Sequence, residues 1–174
     1  MQQVIAKLET VPISFSTLQK YKPRHCRVVL YDRLPDTVEK LFKDKTCVIC
    51  LYQMHDRLGK VKDGVGHYCL IMKTPNSKKL RYFSSYGLKP EVEIHATHSK
   101  GKLLKLLGRD ATYNRRQLQS VRRAETCGLH ALIRAYLYKL SDGSYYKLMK
   151  RYTARTPDDV VSIMALAMVF DELK

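Results

Sequence analysis

The stretch Glu125-Thr126-Cys127-Gly128-Leu129-His130 opens an apolar run from Ala131 to Tyr138, and this places a cysteine where a helix would begin. In the first turn of a helix the N–H groups lack intrahelical partners and the macrodipole is positive, which favours a thiolate over a thiol. Gly128 leaves room for a substrate backbone, and its N–H can face an oxyanion. The plain alternative is an ordinary buried cysteine packed as a small hydrophobe. A nucleophilic thiol needs a base. Among six histidines, His67 is the best placed, because it follows Gly64-Val65-Gly66 at the entry to an apolar strand, where a side chain can reach a cleft. The other reading of His67 is a core histidine with satisfied ring nitrogens. His130 shares the helical face of Cys127 three residues on, so it points along the axis and is poorly placed to take the thiol proton. His25, His55, His95 and His98 fall in polar, basic stretches and read as solvated.

Cys47-Val48-Ile49-Cys50 has the spacing of half a zinc knuckle, yet Thr46 to Tyr52 is β-branched and apolar and reads as a buried strand. Residues three apart in a strand face opposite sides, and no second ligand pair is evident, so no metal is expected. The 174 residues, 45% of them apolar, suit a single domain over 1–174 with its own core. Five cysteines in a chain of this length are expected to stay reduced. The N-terminal Met1 to Lys7 lacks the charged start and apolar core of a signal peptide, and the uncharged run Val160 to Phe170 is too short to span a bilayer. The expectation is a protein that is not secreted and does not enter a membrane. A net charge of +16, from 32 basic against 16 acidic residues, makes nucleic acid the first candidate partner. The basic residues are dispersed through Lys20 to Arg27, Lys73 to Arg81, Lys100 to Arg109, Arg115 to Arg123 and Lys147 to Arg155, so binding would use the folded surface and not a tail. A basic protein with no specific partner is the alternative.

The elements that must position these groups follow in order. Residues 14 to 21 form a short helix capped by Ser14 and ended by Pro23, Arg27 to Tyr31 a strand, and Leu34-Pro35-Asp36 the start of a helix through Phe42. Thr46 to Tyr52 is expected as a central strand and Gly59 to Gly66 as a polar loop. His67 to Met72 and Leu80 to Phe83 make a hairpin about the turn Pro75-Asn76-Ser77. Residues 98 to 107 look helical, and Ala111 to Tyr113 could add an edge strand. The rest is helical, over 128 to 140, 144 to 151 and 157 to 172, the last opening with an N-cap, an N1 proline and two acids in Thr156-Pro157-Asp158-Asp159. Strands in the middle and helices at the end make the class α+β, with a small mixed or antiparallel sheet, flanking helices and Cys127 at the N-terminus of a buried helix.

This order of features resembles the adenovirus-type (adenain-like) cysteine proteases. These are relatives of the ubiquitin-like-specific proteases and occur in DNA viruses, virophages and Polinton elements. The resemblance rests on Cys127-Gly128 at a helix start, a Gly-His-aromatic strand about sixty residues earlier, the Tyr82-Phe83-Ser84-Ser85-Tyr86-Gly87 turn between them, and a glutamine shortly before the cysteine. Val28-Val29-Leu30-Tyr31-Asp32 and Cys47 to Tyr52 look like that family's lead-in to the histidine, and the likeness covers roughly residues 14 to 170.

The resemblance implies an adenain-like fold and a cysteine endopeptidase that cuts viral capsid or core precursors, often after small residues such as Gly-Gly, during virion maturation. Cys127 would be the nucleophile, His67 its base and Gln119 an oxyanion-hole donor, with Gln117 as the alternative. The family's acid position falls on Ser84, which cannot hold an imidazolium by charge. Three readings stay open: Ser84 orients the ring as a neutral partner, another acid such as Asp63 substitutes, or the enzyme is weak. On the first of these, Ser84→Asp should raise activity. The chain has no Gly-Gly pair for self-processing, so its substrates would be other polypeptides. The resemblance further implies DNA binding, no required cofactor, nucleic acid or a short peptide as candidate activators, a monomer, and a place in the virion and the host cell interior, in the nucleus or a cytoplasmic virus factory. The competing functions are a catalytically weak, basic DNA-binding virion protein, and a deubiquitinase or deSUMOylase.

Overall fold

The computed structural model describes residues 2–55, 61–75, 77, 79–120, 125–151 and 153–172. The apolar, β-branched segments assemble a five-stranded sheet in the order β1-β2-β3-β4-β5: Cys26–Leu30, Cys47–His55, Val61–Lys73, Leu80–Ser84 and Thr112–Tyr113. β1 runs parallel to β2, β2 and β3 are antiparallel, β3 and β4 are antiparallel, and β5 adds a parallel edge to β4. The sheet is therefore mixed, with β3 at its centre. Thr46–Tyr52, expected as a central strand, falls on β2, which is interior and paired on both sides. Sequence reasoning expected a loop over Gly59 to Gly66, whereas β3 already begins at Val61 and pairs back to His55 and Gln53.

Among the described residues, eight α-helices accompany the sheet: α1 Gln2–Thr10, α2 Phe15–Tyr21, α3 Val38–Phe42, α4 Pro90–Ala96, α5 Lys102–Leu107, α6 Cys127–Tyr136, α7 Asp142–Met149 and α8 Pro157–Glu172. Ser14 caps α2 through Thr17 N–H, and Thr37 caps α3 through Lys40 N–H. Thr156 and Asp159 bond reciprocally at the start of α8, so each satisfies one of the other's orphan N–H groups. α1 and α4 carry no signal that sequence reasoning used.

Two cores form because alternate strand residues face opposite sides of the sheet. Cys47, Ile49, Tyr68, Leu70 and Phe83 pack under α6, α7 and α8, while Val48, Cys50, Cys69, Ile71 and Tyr82 pack under α3 to α5. Cys47 and Cys50 thus lie on opposite faces, and all five cysteines are free thiols. α6 is buried from Cys127 through Ala135, as its apolar run requires. Its one cation, Arg134, is fully enclosed and donates to the carbonyls of Leu137 (2.6 Å) and Leu140 (2.9 Å) and to Asp142 (3.0 Å), which satisfies the buried charge. Among the described residues, no helix is long and apolar enough to cross a membrane.

Candidate functional site

His67 and Cys127 reach each other from opposite sides of the sheet. The imidazole belongs to β3, and its acid partner Glu93 comes from α4 on one face, whereas Cys127 comes from α6, packed on the other face. Both groups are nearly enclosed, with 8% and 5% of their surface exposed. Thr126 precedes α6 but makes no side-chain cap, so its hydroxyl does not cover the first-turn N–H groups around Cys127.

His67 Nε2 lies 3.3 Å from Ser84 Oγ and 3.2 Å from Glu93 Oε1. The Ser84 hydroxyl donates to Glu93 Oε1 and accepts from Tyr86 N–H at 3.2 Å, and Tyr82 O–H donates to Glu93 Oε2. With its proton given to the carboxylate, Ser84 can only accept from the ring, so Nε2 must carry the hydrogen. The neutral ring then has its lone pair on Nδ1, which is buried and has no hydrogen-bond partner among the described residues. With Nε2 engaged by Ser84 and Glu93, Nδ1 is the nitrogen left to act as a base, and the Cys127 side chain influences the same ring. This tautomer is the one a general base needs.

Burial works against the imidazolium, but the charge of Glu93, the neighbouring Cys127 and the Glu93 hydrogen bond outweigh it and lift His67 from 6.5 to about 10. Tyr86 stacks on the imidazole at 4.7 Å between ring centroids and fixes its plane. The neutral partner that sequence reasoning favoured is therefore only half of the arrangement: Ser84 does bond the ring, and an acid, Glu93, stands behind it. Asp63, the other acid considered, lies in β3, and its side chain is outside the described ones.

Glu93 was missed because its strand-side partners are nine or more residues away in sequence. One signal was present. On α4 it falls on the stripe Pro90, Glu93, Ile94, Thr97, at the spacing that makes one buried helix face, and all four are buried. A carboxylate on an apolar stripe needs a partner, and His67 supplies it.

The turn after β4 ties in the candidate oxyanion donors. Asn114 bonds both backbone groups of Ser84, accepting from its N–H at 2.8 Å and donating to its carbonyl at 2.7 Å. Ser85 O accepts from the N–H groups of Leu118 (2.8 Å) and Gln119 (3.0 Å), and the Ser85 hydroxyl donates to Gln119 Oε1 at 2.6 Å. That bond fixes the orientation of the buried Gln119 amide and leaves its NH2 group as the donor end. Gln117 is exposed, and its own amide NH2 donates to the Gln119 carbonyl at 2.8 Å. Gly87 makes the close packing feasible: its φ is +69°, and a Cβ there would lie 2.6 Å from Arg116 C.

Gly128 has a different use from the one expected. A Cβ on it would stand 2.1 Å from Ile13 Cγ2 and 3.1 Å from Tyr68 Cδ2, so the space beside the cysteine is filled by the fold. His130 does not face the thiol; its Nε2 lies 3.1 Å from Asp158. His25, expected to be solvated, is half-buried, with Nε2 3.0 Å from the Ala135 carbonyl. His95 and His98 are exposed, and the side chain of His55 lies outside the described residues. A cavity of about 410 Å³ between the α1–α2 connection, α6 and α8 is lined by apolar groups such as Val11, Leu129 and Met168, and by neither His67 nor Cys127.

The arrangement sets a histidine between a carboxylate and a helix-start cysteine, with the Gln119 amide oriented by Ser85. Compared with known proteins, the chain matches no protein-family model, and no curated protein matches it in sequence.

Proposed function

We propose that the chain is a cysteine endopeptidase of the adenain-like type. The observation that carries this reading is the imidazole of His67, which holds Glu93 and Ser84 at Nε2 while Cys127 acts on the same ring from the first turn of α6. In the mechanism this supports, the thiol proton rests on Nδ1 as an imidazolium, the Cys127 thiolate attacks the peptide carbonyl, and the charge on the carbonyl oxygen is met by the Gln119 amide and the Cys127 N–H. His67 then returns the proton to the departing amine, and water hydrolyses the thioester. Glu93, 3.2 Å from Nε2, stands beside the imidazolium.

The natural substrates on this reading are viral capsid or core precursor polypeptides, cut in the virion or the infected cell. The charge of +16 supports attachment to packaged DNA, with which a basic surface associates by releasing counterions. The test is acylation by p-nitrophenyl acetate: one nitrophenolate released per protein in a burst, with the acyl group mapped to Cys127 and both lost in Cys127→Ala, is the expected result. An unchanged burst in Cys127→Ala would refute the assignment of the nucleophile.

A further inference from the structure

A second buried polar cluster lies behind the first turn of α6. Asp158, the second residue of α8, is 4% exposed and spreads one carboxylate over two other parts of the chain. Its Oδ2 accepts from Ser120 N–H at 3.0 Å, and its Oδ1 accepts from the Thr126 hydroxyl and lies 3.1 Å from His130 Nε2. Burial opposes the charge, but His130, Thr126 and Ser120 together hold the carboxyl below its ordinary range. Thr126 and His130 are fully enclosed.

The sequence neighbours of these donors matter. Ser120 follows Gln119, and Thr126 precedes Cys127. One carboxylate therefore pins the residue beside the candidate oxyanion amide and the residue beside the candidate nucleophile. An ionised group in a core costs several kcal/mol to desolvate, and apolar packing could join α6 to α8 without it. Three directed hydrogen bonds do something that packing does not, because they fix the separation of two chain segments to within tenths of an ångström. Ser85 sets Gln119 from one side through its hydroxyl and carbonyl; Asp158 sets the adjoining peptide from the other.

The geometry points to Asp158 as a positioning residue for the oxyanion site, holding the Gln119 amide at a fixed distance from the Cys127 N–H. It touches no reacting atom and contributes nothing to deprotonating the thiol, which is the work of His67 and Glu93. This inference rests on the cysteine-protease reading above.

The two jobs separate in the laboratory. Alkylation of Cys127 by iodoacetamide is displacement at a saturated carbon; it needs the thiolate and no oxyanion hole. Acylation by p-nitrophenyl acetate passes through a tetrahedral oxyanion. Asp158→Asn keeps the shape but offers one acceptor oxygen in place of two, so it should leave the alkylation rate within about twofold and lower acylation by ~10²-fold, the usual effect of losing one oxyanion donor. Because Asp158 acts through Gln119, the double variant Asp158→Asn/Gln119→Ala should lose little beyond Gln119→Ala alone. Should Asp158→Asn not fold, Thr126→Val removes one bond, keeps the carboxylate and carries the same comparison. Alkylation and acylation falling together, neither falling, or fully additive losses would overturn the inference while leaving the nucleophile assignment intact. A wild-type Cys127 that alkylates no faster than Cys26 would overturn the protease reading itself, and the inference with it.

Discussion

Replacing Glu93 by Gln keeps the shape behind His67, removes the charge and offers one acceptor oxygen in place of two. The wild-type imidazolium persists to about pH 10 because Glu93 and Cys127 outweigh burial. Without the carboxylate, burial is opposed by Cys127 alone, and the ring falls back toward its ordinary 6.5. The imidazolium must protonate the departing group, so its loss sets the alkaline limb of the rate. At pH 8.5 a group titrating near 6.5 is about 1% protonated, which makes the expected loss ~10²-fold at that pH and less in acid solution. The assay is kcat/KM for a peptide amide across pH 5 to 11, with folding checked by circular dichroism. The limb should move from about 10 in the wild type to below about 7 in the variant. The same pair has a stability signature. His67 is raised in the folded state, so its contribution is complete below about pH 6.5 and is lost as pH rises through about 10, and Glu93→Gln should flatten that slope. A folded variant whose alkaline limb stays near 10 would refute the role given to Glu93.

Ser84→Asp, which sequence alone expects to gain activity, should instead lose about tenfold or more, because it sets a second buried carboxylate against Glu93; steady-state rates and Tm should fall together. Gly128→Ala drives a methyl group into Ile13 and Tyr68, an overpacking of about 1–3 kcal/mol, and a lowered Tm by calorimetry is the readout. Binding to a random-sequence DNA duplex should weaken steeply with salt, with log K linear in log salt at a slope steeper than −3; a flat response would remove DNA from the proposal.

Much of the scaffold was legible because it is written locally. Ser14 and the Thr156-Pro157-Asp158-Asp159 start give helix boundaries, and the alternation in β2 put Cys47 and Cys50 on opposite faces. The start of β3 was hidden by composition. Gly64, Gly66, Lys62 and Asp63 look like a loop, yet Gly66 is needed in the strand, since a Cβ there would come within 2.5 Å of the Tyr52 carbonyl. Pairing with β2 then overrides the weak propensity of the segment. At the site, Cys127 and His67 carried signals of their own, a helix start and a strand entry, while Ser84 and Gln119 were assigned through the resemblance. Glu93 carried only its place on a buried helix stripe, and Asp158 only its place in a helix start. Their meaning comes from partners brought close by folding: Glu93 from Tyr82 and Ser84, Asp158 from Ser120, Thr126 and His130.

The central claim is that His67 makes Cys127 a nucleophile, and the direct measurement is competitive labelling of the five cysteines by limiting iodoacetamide at pH 7, with sites quantified by mass spectrometry. Cys26 is a fair reference, since it is fully enclosed and burial pushes its thiol far up. The account predicts that Cys127 is labelled at least ~10²-fold faster than Cys26, and that His67→Ala abolishes the difference while the protein stays folded. Equal labelling in the wild type, or selective labelling that survives His67→Ala, would contradict it.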